Sequence, residues 1–310
     1  MFRKLLILLP FLFSGTVHGV EMSIPSTLSQ AQEDSTVPRR GVLYRVRHHG
    51  VSTYLFGTIH VGKQNFYPLE PEVSRALAEA RTLVLELDVR ANDDFQLALG
   101  KYGSYPAGQG LRDHLSPAAL ARLQAALDRN GMTLASVDGF RPWLVANILV
   151  GMEMEKLGYQ RSKGVEGFLL EAALRQQKPL RELETAEYQL SLFDGLSATQ
   201  QERYLLENLD DIDSGAALKK SAGLIDAWSA ADRVRMAELS RELTTGDSVS
   251  ARFMEQTLLG KRNPEMAANI ETIMAREHSA FVGIGLLHLL GENSVPQLLK
   301  RRGYEVEQVY

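Results

Sequence analysis

Two stretches decide how this chain reads: "YLFGTIHVG" (Tyr54–Gly62) and "AFVGIGLLHLLG" (Ala280–Gly291). Each is an apolar run that reaches a glycine and presents a histidine three residues later, Gly57 to His60 and Gly285 to His288. Each is followed by a helical pattern and then another strand-like run, "RTLVLELD" (81–88) and "YEVEQV" (304–309). Strand, helix and strand in about 35 residues is a βαβ-like unit. A glycine that ends a strand permits a sharp turn or a positive φ. A side chain three residues on can then face the carboxyl edge of the sheet, where open α/β sheets place their sites. A single Gly-x-x-His carries no information. Two of them, in equivalent contexts at opposite ends of a chain with only seven histidines, point to one place.

Between these ends the periodicity is helical. "SPAALARLQAALDRNG" (116–131) has Ser116 as N-cap and Gly131 as stop, and "RPWLVANILVGMEMEKLG" (141–158) and "GVEGFLLEAALRQQ" (164–177) follow. "KPLRELE" (178–184) is a short strand-like run. Helical patterns resume until "RNPEMAANIETIMAREH" (262–278), where Asn263 reads as an N-cap and Pro264 as a first-turn proline. The expected fold is α/β (α+β): a central sheet completed by N- and C-terminal βαβ-like units, with a large helical insertion over about 111–277. Residues 41–310 form a single domain in this reading. "GVLYRVRHHGVSTYLFG" (41–57) reads as a hairpin turning near Gly50, which puts His48 and His49 at its tip.

The N-terminus reads as a targeting segment. "MFRKLLILLPFLFSGTVHG" (1–19) has basic Arg3 and Lys4, an apolar run from Leu5 to Phe13 and small residues at Val17 and Gly19, the layout of a signal peptide cleaved near Gly19. The apolar run is interrupted by Pro10 and is well short of the ~20 residues a membrane span needs, so no stable anchor is expected after cleavage. Residues 20–40 are polar and aperiodic and read as a flexible leader. A periplasmic or secreted location follows. The chain has no cysteine, which removes disulfides, thiolate chemistry and a lipidated cysteine together. Its net charge of −4 lacks the basic footprint of a nucleic-acid binder, so no nucleic-acid partner is expected. The sequence says nothing of the oligomeric state.

Acids accompany the two histidines. Glu86 and Asp88 lie two apart at the end of "LVLELD", and Glu184 closes "PLRELE". An unpaired carboxylate buried at a strand end costs several kcal/mol, so such acids need partners. Two imidazoles with one or two carboxylates would make a divalent-metal site or a His/Glu site that activates water. Plainer readings stand beside this one: His60 as a hydrogen-bonded turn residue, Glu86 as a core ion-pair partner and Asp88 as a cap. Glu184 would then pair with Arg181 or Arg262, and Arg262 would make a salt bridge or meet a substrate carboxylate. His114 and His278 carry no supporting pattern. Neither G-x-S-x-G, H-E-x-x-H nor a P-loop occurs. "GIGLLH" only mimics a dinucleotide fingerprint, with His288 where its third glycine belongs.

From about Gly41 to the end the chain resembles the TraB/GumN family, related to the Tiki metalloproteases and more distantly to erythromycin esterases and ChaN haem-binding lipoproteins. The stretches that carry the resemblance are "YLFGTIHVG", "LVLELD", "GVEGFLLEAALRQQKPLRELETAEYQLSLFDGL", "RNPEMA" and "VGIGLLHLLGENSVPQLLKRRGYEVEQV". The family pattern usually has Asp where this chain has Glu166. The resemblance implies a site of His60, His288 and Glu86 and, in the Tiki branch, metal-dependent peptide cleavage. The expected function is thus an exported metal-dependent hydrolase acting on a peptide or other small substrate. His60, Glu86 and His288 would hold Mn²⁺, Co²⁺ or Zn²⁺, with Glu86 and Glu184 as the catalytic carboxylates. Gly57, Asp88, Arg262, Asn263 and Gly285 would support them. The competing reading is a binding protein that sequesters a peptide or haem-like ligand without turnover.

Overall fold

The computed structural model describes residues 39–310 apart from 89–91 and 278, so the signal segment, most of the leader and His278 lie outside the described residues. Six strands form one mixed sheet: β1 (Leu43–His48), β2 (Val51–Thr58), β3 (Thr82–Leu85), β4 (Leu180–Glu182), β5 (Ala280–Gly285) and β6 (Glu305–Gln308), in the order β4-β3-β5-β2-β1-β6. β1 and β2 are joined through His49 and Gly50, both at positive φ (46° and 79°), the backbone a two-residue hairpin turn requires. β5 pairs in parallel with β2 on one side and β3 on the other, and β3 pairs in parallel with β4. The carboxyl ends of these four strands therefore share one edge.

The central strands are apolar because both faces are covered. β3 and most of β5 are buried, as strands of a parallel sheet between helices must be. Helix Pro71–Glu79 connects β2 to β3. The C-terminal unit differs from a simple βαβ: after helix Val295–Arg301, β6 passes over β2 and β1 to pair antiparallel with β1 at the far edge.

The insertion has a core of its own. Helix Pro142–Lys156 is buried on nearly every side along its first half, and Trp143 stacks on Phe193 at 4.3 Å between ring centres. That explains the apolar run "PWLVANILV" without a membrane: among the described residues no helix is long and apolar enough to cross one. Two elements escaped the periodicity. Helix Asn92–Gly103 opens on "NDDF" and has weak amphipathic contrast, and Phe253–Leu259 is a π-helical segment that breaks the 3.6-residue repeat. Asn263 is not an N-cap: helix Arg262–Glu277 begins a residue earlier, and the Asn263 side chain turns away to other partners.

The entry into the domain is pinned. Arg40 is buried, its guanidinium donating to the carbonyls of Asn65 and Pro68. Nearby, the Tyr310 hydroxyl donates to the fully buried carboxyl of Glu70 and lies 3.1 Å from the Arg40 carbonyl.

Candidate active site

Each of the four parallel strands delivers one group to the shared edge. His60 lies two residues beyond β2, Glu86 directly after β3, Glu184 two residues beyond β4, and His288 on a 3₁₀ turn (Leu286–Leu289) directly after β5. Glu166, in the first turn of helix Val165–Arg175, and Arg262 and Asn263, opening helix Arg262–Glu277, close over them. His60 is the most open of the group, its side chain 17% exposed against 10% or less for Glu86, Glu166, Glu184, Arg262 and His288.

Arg262 organises the acids. Its Nη2 donates to Glu86 Oε2 (2.6 Å) and Glu184 Oε2 (2.7 Å), while its Nε donates to Glu184 Oε1 (2.9 Å). Gln189 Nε2 adds a 2.8 Å bond to Glu184. The other oxygen of Glu86 accepts the Gly285 N–H at 2.6 Å. Burial alone would raise the Glu86 carboxyl; Arg262, with His288, His60 and the Gly285 N–H, outweighs it and brings the group down to about 2. Glu184 moves up instead, because burial and the neighbouring Glu86 charge outweigh its share of the guanidinium. Of the readings open for Glu184 and Arg262, the structure makes the pair Glu184–Arg262; Arg181 pairs with Glu277.

The histidines are held by their Nδ1 atoms. His288 Nδ1 lies 2.5 Å from Asn263 Oδ1, and Asn263 Nδ2 donates to the Asn293 carbonyl at 2.9 Å. That second bond fixes which way the Asn263 amide points, so its oxygen faces the ring and Nδ1 carries the hydrogen. His288 Nε2 is then a bare lone pair, 3.8 Å from Glu86 Oε1. Burial, with Arg262 nearby, drives His288 down to about 3, so it is neutral. His60 Nδ1 instead lies 2.7 Å from Glu166 Oε1, at ion-pair distance but off the line of a well-directed hydrogen bond. Burial opposes a charge on His60, but Glu166 and then Glu86 outweigh it and raise the imidazole above its ordinary value.

Gly285 is where these groups meet. A Cβ there would lie 3.1 Å from Glu86 Oε1 and 3.6 Å from both His60 Nε2 and the His288 ring. The glycine is needed for room, not for a positive φ, since its φ is −52°. Gly57 likewise has no positive φ; it lies within β2, where a Cβ would press on Leu286, Val42 and Leu289. Asp88 is half-buried beyond the end of β3, its N–H donating to Glu182. The β3 strand ends at Leu85, so the alternation that would place Glu86 and Asp88 on one face does not reach them. Nothing in the local sequence marks Glu166 and Gln189 as site residues, because an acid in a first helical turn and a glutamine on an amphipathic helix are ordinary there. A cavity of about 170 Å³ lies elsewhere, lined by residues that include Gln200, Arg252, Phe253 and Lys261.

The sequence pattern of the TraB/PrgY/gumN family matches residues 42–308. The chain belongs to that family. Among its relatives, the uncharacterized protein YbaP of Shigella flexneri is 26% identical over 80% of this chain and 88% of its own length. The metalloprotease TIKI1 of Danio rerio is 25% identical over 82% of this chain and 60% of its own length. The metalloprotease TIKI2 of Xenopus tropicalis is 26% identical over 90% and 61% respectively. No solved structure matches the chain. A hydrolase or protease role within the family therefore comes from relatives named as metalloproteases.

The residues fit a divalent ion in donor chemistry. His60 Nε2, a Glu86 carboxylate oxygen and the edge of the His288 ring surround the space above Gly285, and both rings have their Nδ1 against a partner outside that space, as metal-bound histidines do. They are not drawn together for it: among the described residues no group of three or more His, Cys, Asp or Glu stands ready to hold an ion, and Arg262 already neutralises one oxygen of Glu86.

Proposed function

We propose that this chain is an exported hydrolase that cleaves peptide bonds, working at His60, Glu86 and His288. One observation carries the reading: His60 Nε2, Glu86 Oε1 and the His288 ring all lie within 3.6 Å of one point above Gly285. The relatives named as metalloproteases support the reaction class. The signal-like residues 1–19 support export.

His60, Glu86 and His288 would hold a divalent ion such as Mn²⁺, Co²⁺ or Zn²⁺. When bound, such an ion supplies a polarising charge and a water that ionises near neutral pH. His288, neutral and with Nε2 bare, offers a lone pair without adding charge. Glu86 supplies the negative charge, and Arg262 keeps it ionised and fixed. Glu184, both oxygens bound, holds Arg262 in place and leaves proton transfer to the groups around Gly285. His60 is the more open of the two rings. Arg262, bound to Glu86 and Glu184, is spent on the acids and not on a substrate carboxylate.

Metal content and cleavage of an internally quenched peptide library, measured together on the wild type, His60→Ala and His288→Ala, test this. The wild type should retain metal and cleave, and each variant should lose both. Wild-type metal content in both variants sinks the ion-binding reading. Retained metal with no cleavage across the library favours a protein that sequesters a peptide or haem-like ligand.

A further inference from the structure

His60 Nδ1 and Glu166 Oε1 are buried and 2.7 Å apart, and neither makes a well-directed hydrogen bond to any described group. At that distance a small turn of the ring or the carboxylate lets each satisfy the other, and leaving both unpaired would cost several kcal/mol. Thr58, from the same Gly57-Thr58-Ile59-His60 turn, adds a hydroxyl beside the Glu166 carboxylate.

The backbone fixes this pairing independently of the side chains. The Val165 N–H donates to the Ile59 carbonyl at 2.9 Å, and Gly62 and Gln160 exchange a pair of 2.8 Å bonds. A Cβ on Gly164 would lie 2.6 Å from the His60 carbonyl oxygen, so the two segments touch backbone to backbone. Glu166 follows two residues after that contact. The chain is stapled on both sides of His60 to the segment that presents Glu166.

From this geometry we infer that Glu166 is the positioning residue of His60. It holds the hydrogen on Nδ1, so that in the neutral ring Nε2 turns a lone pair toward Glu86 and Gly285. The bond on one ring nitrogen decides the state of the other. A free imidazole prefers its hydrogen on Nε2, which would aim a donor into the site and close it to any electrophile. A carboxylate on Nδ1 also makes Nε2 more electron-rich than the amide behind His288 can. The inference rests on the hydrolase reading for its consequence in catalysis, but not for the tautomer itself.

Nitrogen NMR of the purified full chain with ¹⁵N-labelled histidine, after dialysis against a chelator and at a pH above the point where the His60 ring loses its charge, reads the tautomer of each neutral ring without any substrate. Wild-type His60 should be protonated at Nδ1. Glu166→Met, close in shape but unable to accept, should move the hydrogen to Nε2. Glu166→Asp should restore the wild-type signature at least in part. His288, held by Asn263, should keep its own signature in all three proteins and so reports that the fold is intact. If His60 keeps Nδ1 protonated in folded Glu166→Met, or lacks that form in the wild type, the assignment is overturned. In the peptide assay, kcat should fall about 10–100-fold in Glu166→Met with KM little changed, the usual effect of losing such a partner. A wild type that cleaves nothing refutes the hydrolase reading alone, and the NMR result still decides the role of Glu166.

Discussion

The two Gly-x-x-His turns sit on neighbouring parallel strands and reach the same edge, yet they build different histidines. His288 rides a 3₁₀ turn with an amide behind it and is driven down to about 3. His60 follows an extended strand end with a carboxylate behind it, is raised, and is the more open ring. The shared spacing fixes where each ring goes. The partner that each ring meets, supplied from a distant helix, fixes what it can do. The glycines differ in the same way: Gly57 makes room for leucines, whereas Gly285 makes room for the site.

Alanine at each glycine would break this comparison most visibly. Gly285→Ala places a methyl 3.1 Å from Glu86 Oε1, which Arg262 and the Gly285 N–H hold in place. Displacing such a group by a fraction of an ångström should lower peptide cleavage on the order of 100-fold, with a urea midpoint near that of the wild type. Gly57→Ala meets leucine and valine methyls 3.0–3.3 Å away. It should cost about 1–3 kcal/mol of stability through overpacking, with activity per folded molecule kept. Identical behaviour of the two variants would mean that both glycines serve packing alone.

Asn263→Asp sharpens the contrast by giving His288 the kind of partner His60 has. The new carboxylate should raise the His288 imidazole from about 3, read by NMR titration of the ring. Cleavage should fall about 10-fold, the lower end of what an altered histidine partner costs. If His288 does not move, its low value comes from burial and Arg262 alone and the amide has no part in it.

Much of this was legible before the fold was known. Residues three apart behind an apolar strand must come off the same edge, so His60 and His288 could be paired from spacing. Glu86 and Glu184 could be attached to them because acids ending buried strands need company. Glu166, Gln189 and Asn293 could not be found that way. Their roles come from a helix and loops whose positions are set by contacts such as Val165 with Ile59, more than a hundred residues apart. Asn263 was placed by its local N-cap chemistry, but a tertiary contact with His288 took its side chain. Asp88 was joined to Glu86 by a strand alternation that stops at Leu85.

The same rule, that the partner and not burial alone sets a buried group's charge, holds between two glutamates, and there its effect is on stability and not on cleavage. Glu86 faces a guanidinium and sits at about 2. Glu70, equally buried, faces the Tyr310 hydroxyl and has one oxygen without a partner; burial raises it to about 7, with Arg40 only partly offsetting this. In the unfolded chain Glu70 releases its proton near its ordinary value of 4.5, while the folded chain holds it to about 7. Its contribution to stability is therefore full below pH 4.5, declines as pH rises from there to about 7, and is flat above that. Urea unfolding across this range should show the decline, and Glu70→Gln, which keeps a neutral group of the same shape, should flatten it by no more than about 3 kcal/mol. A wild-type curve that rises through that window would show that Glu70 finds a cation in solution, as Glu86 does in Arg262.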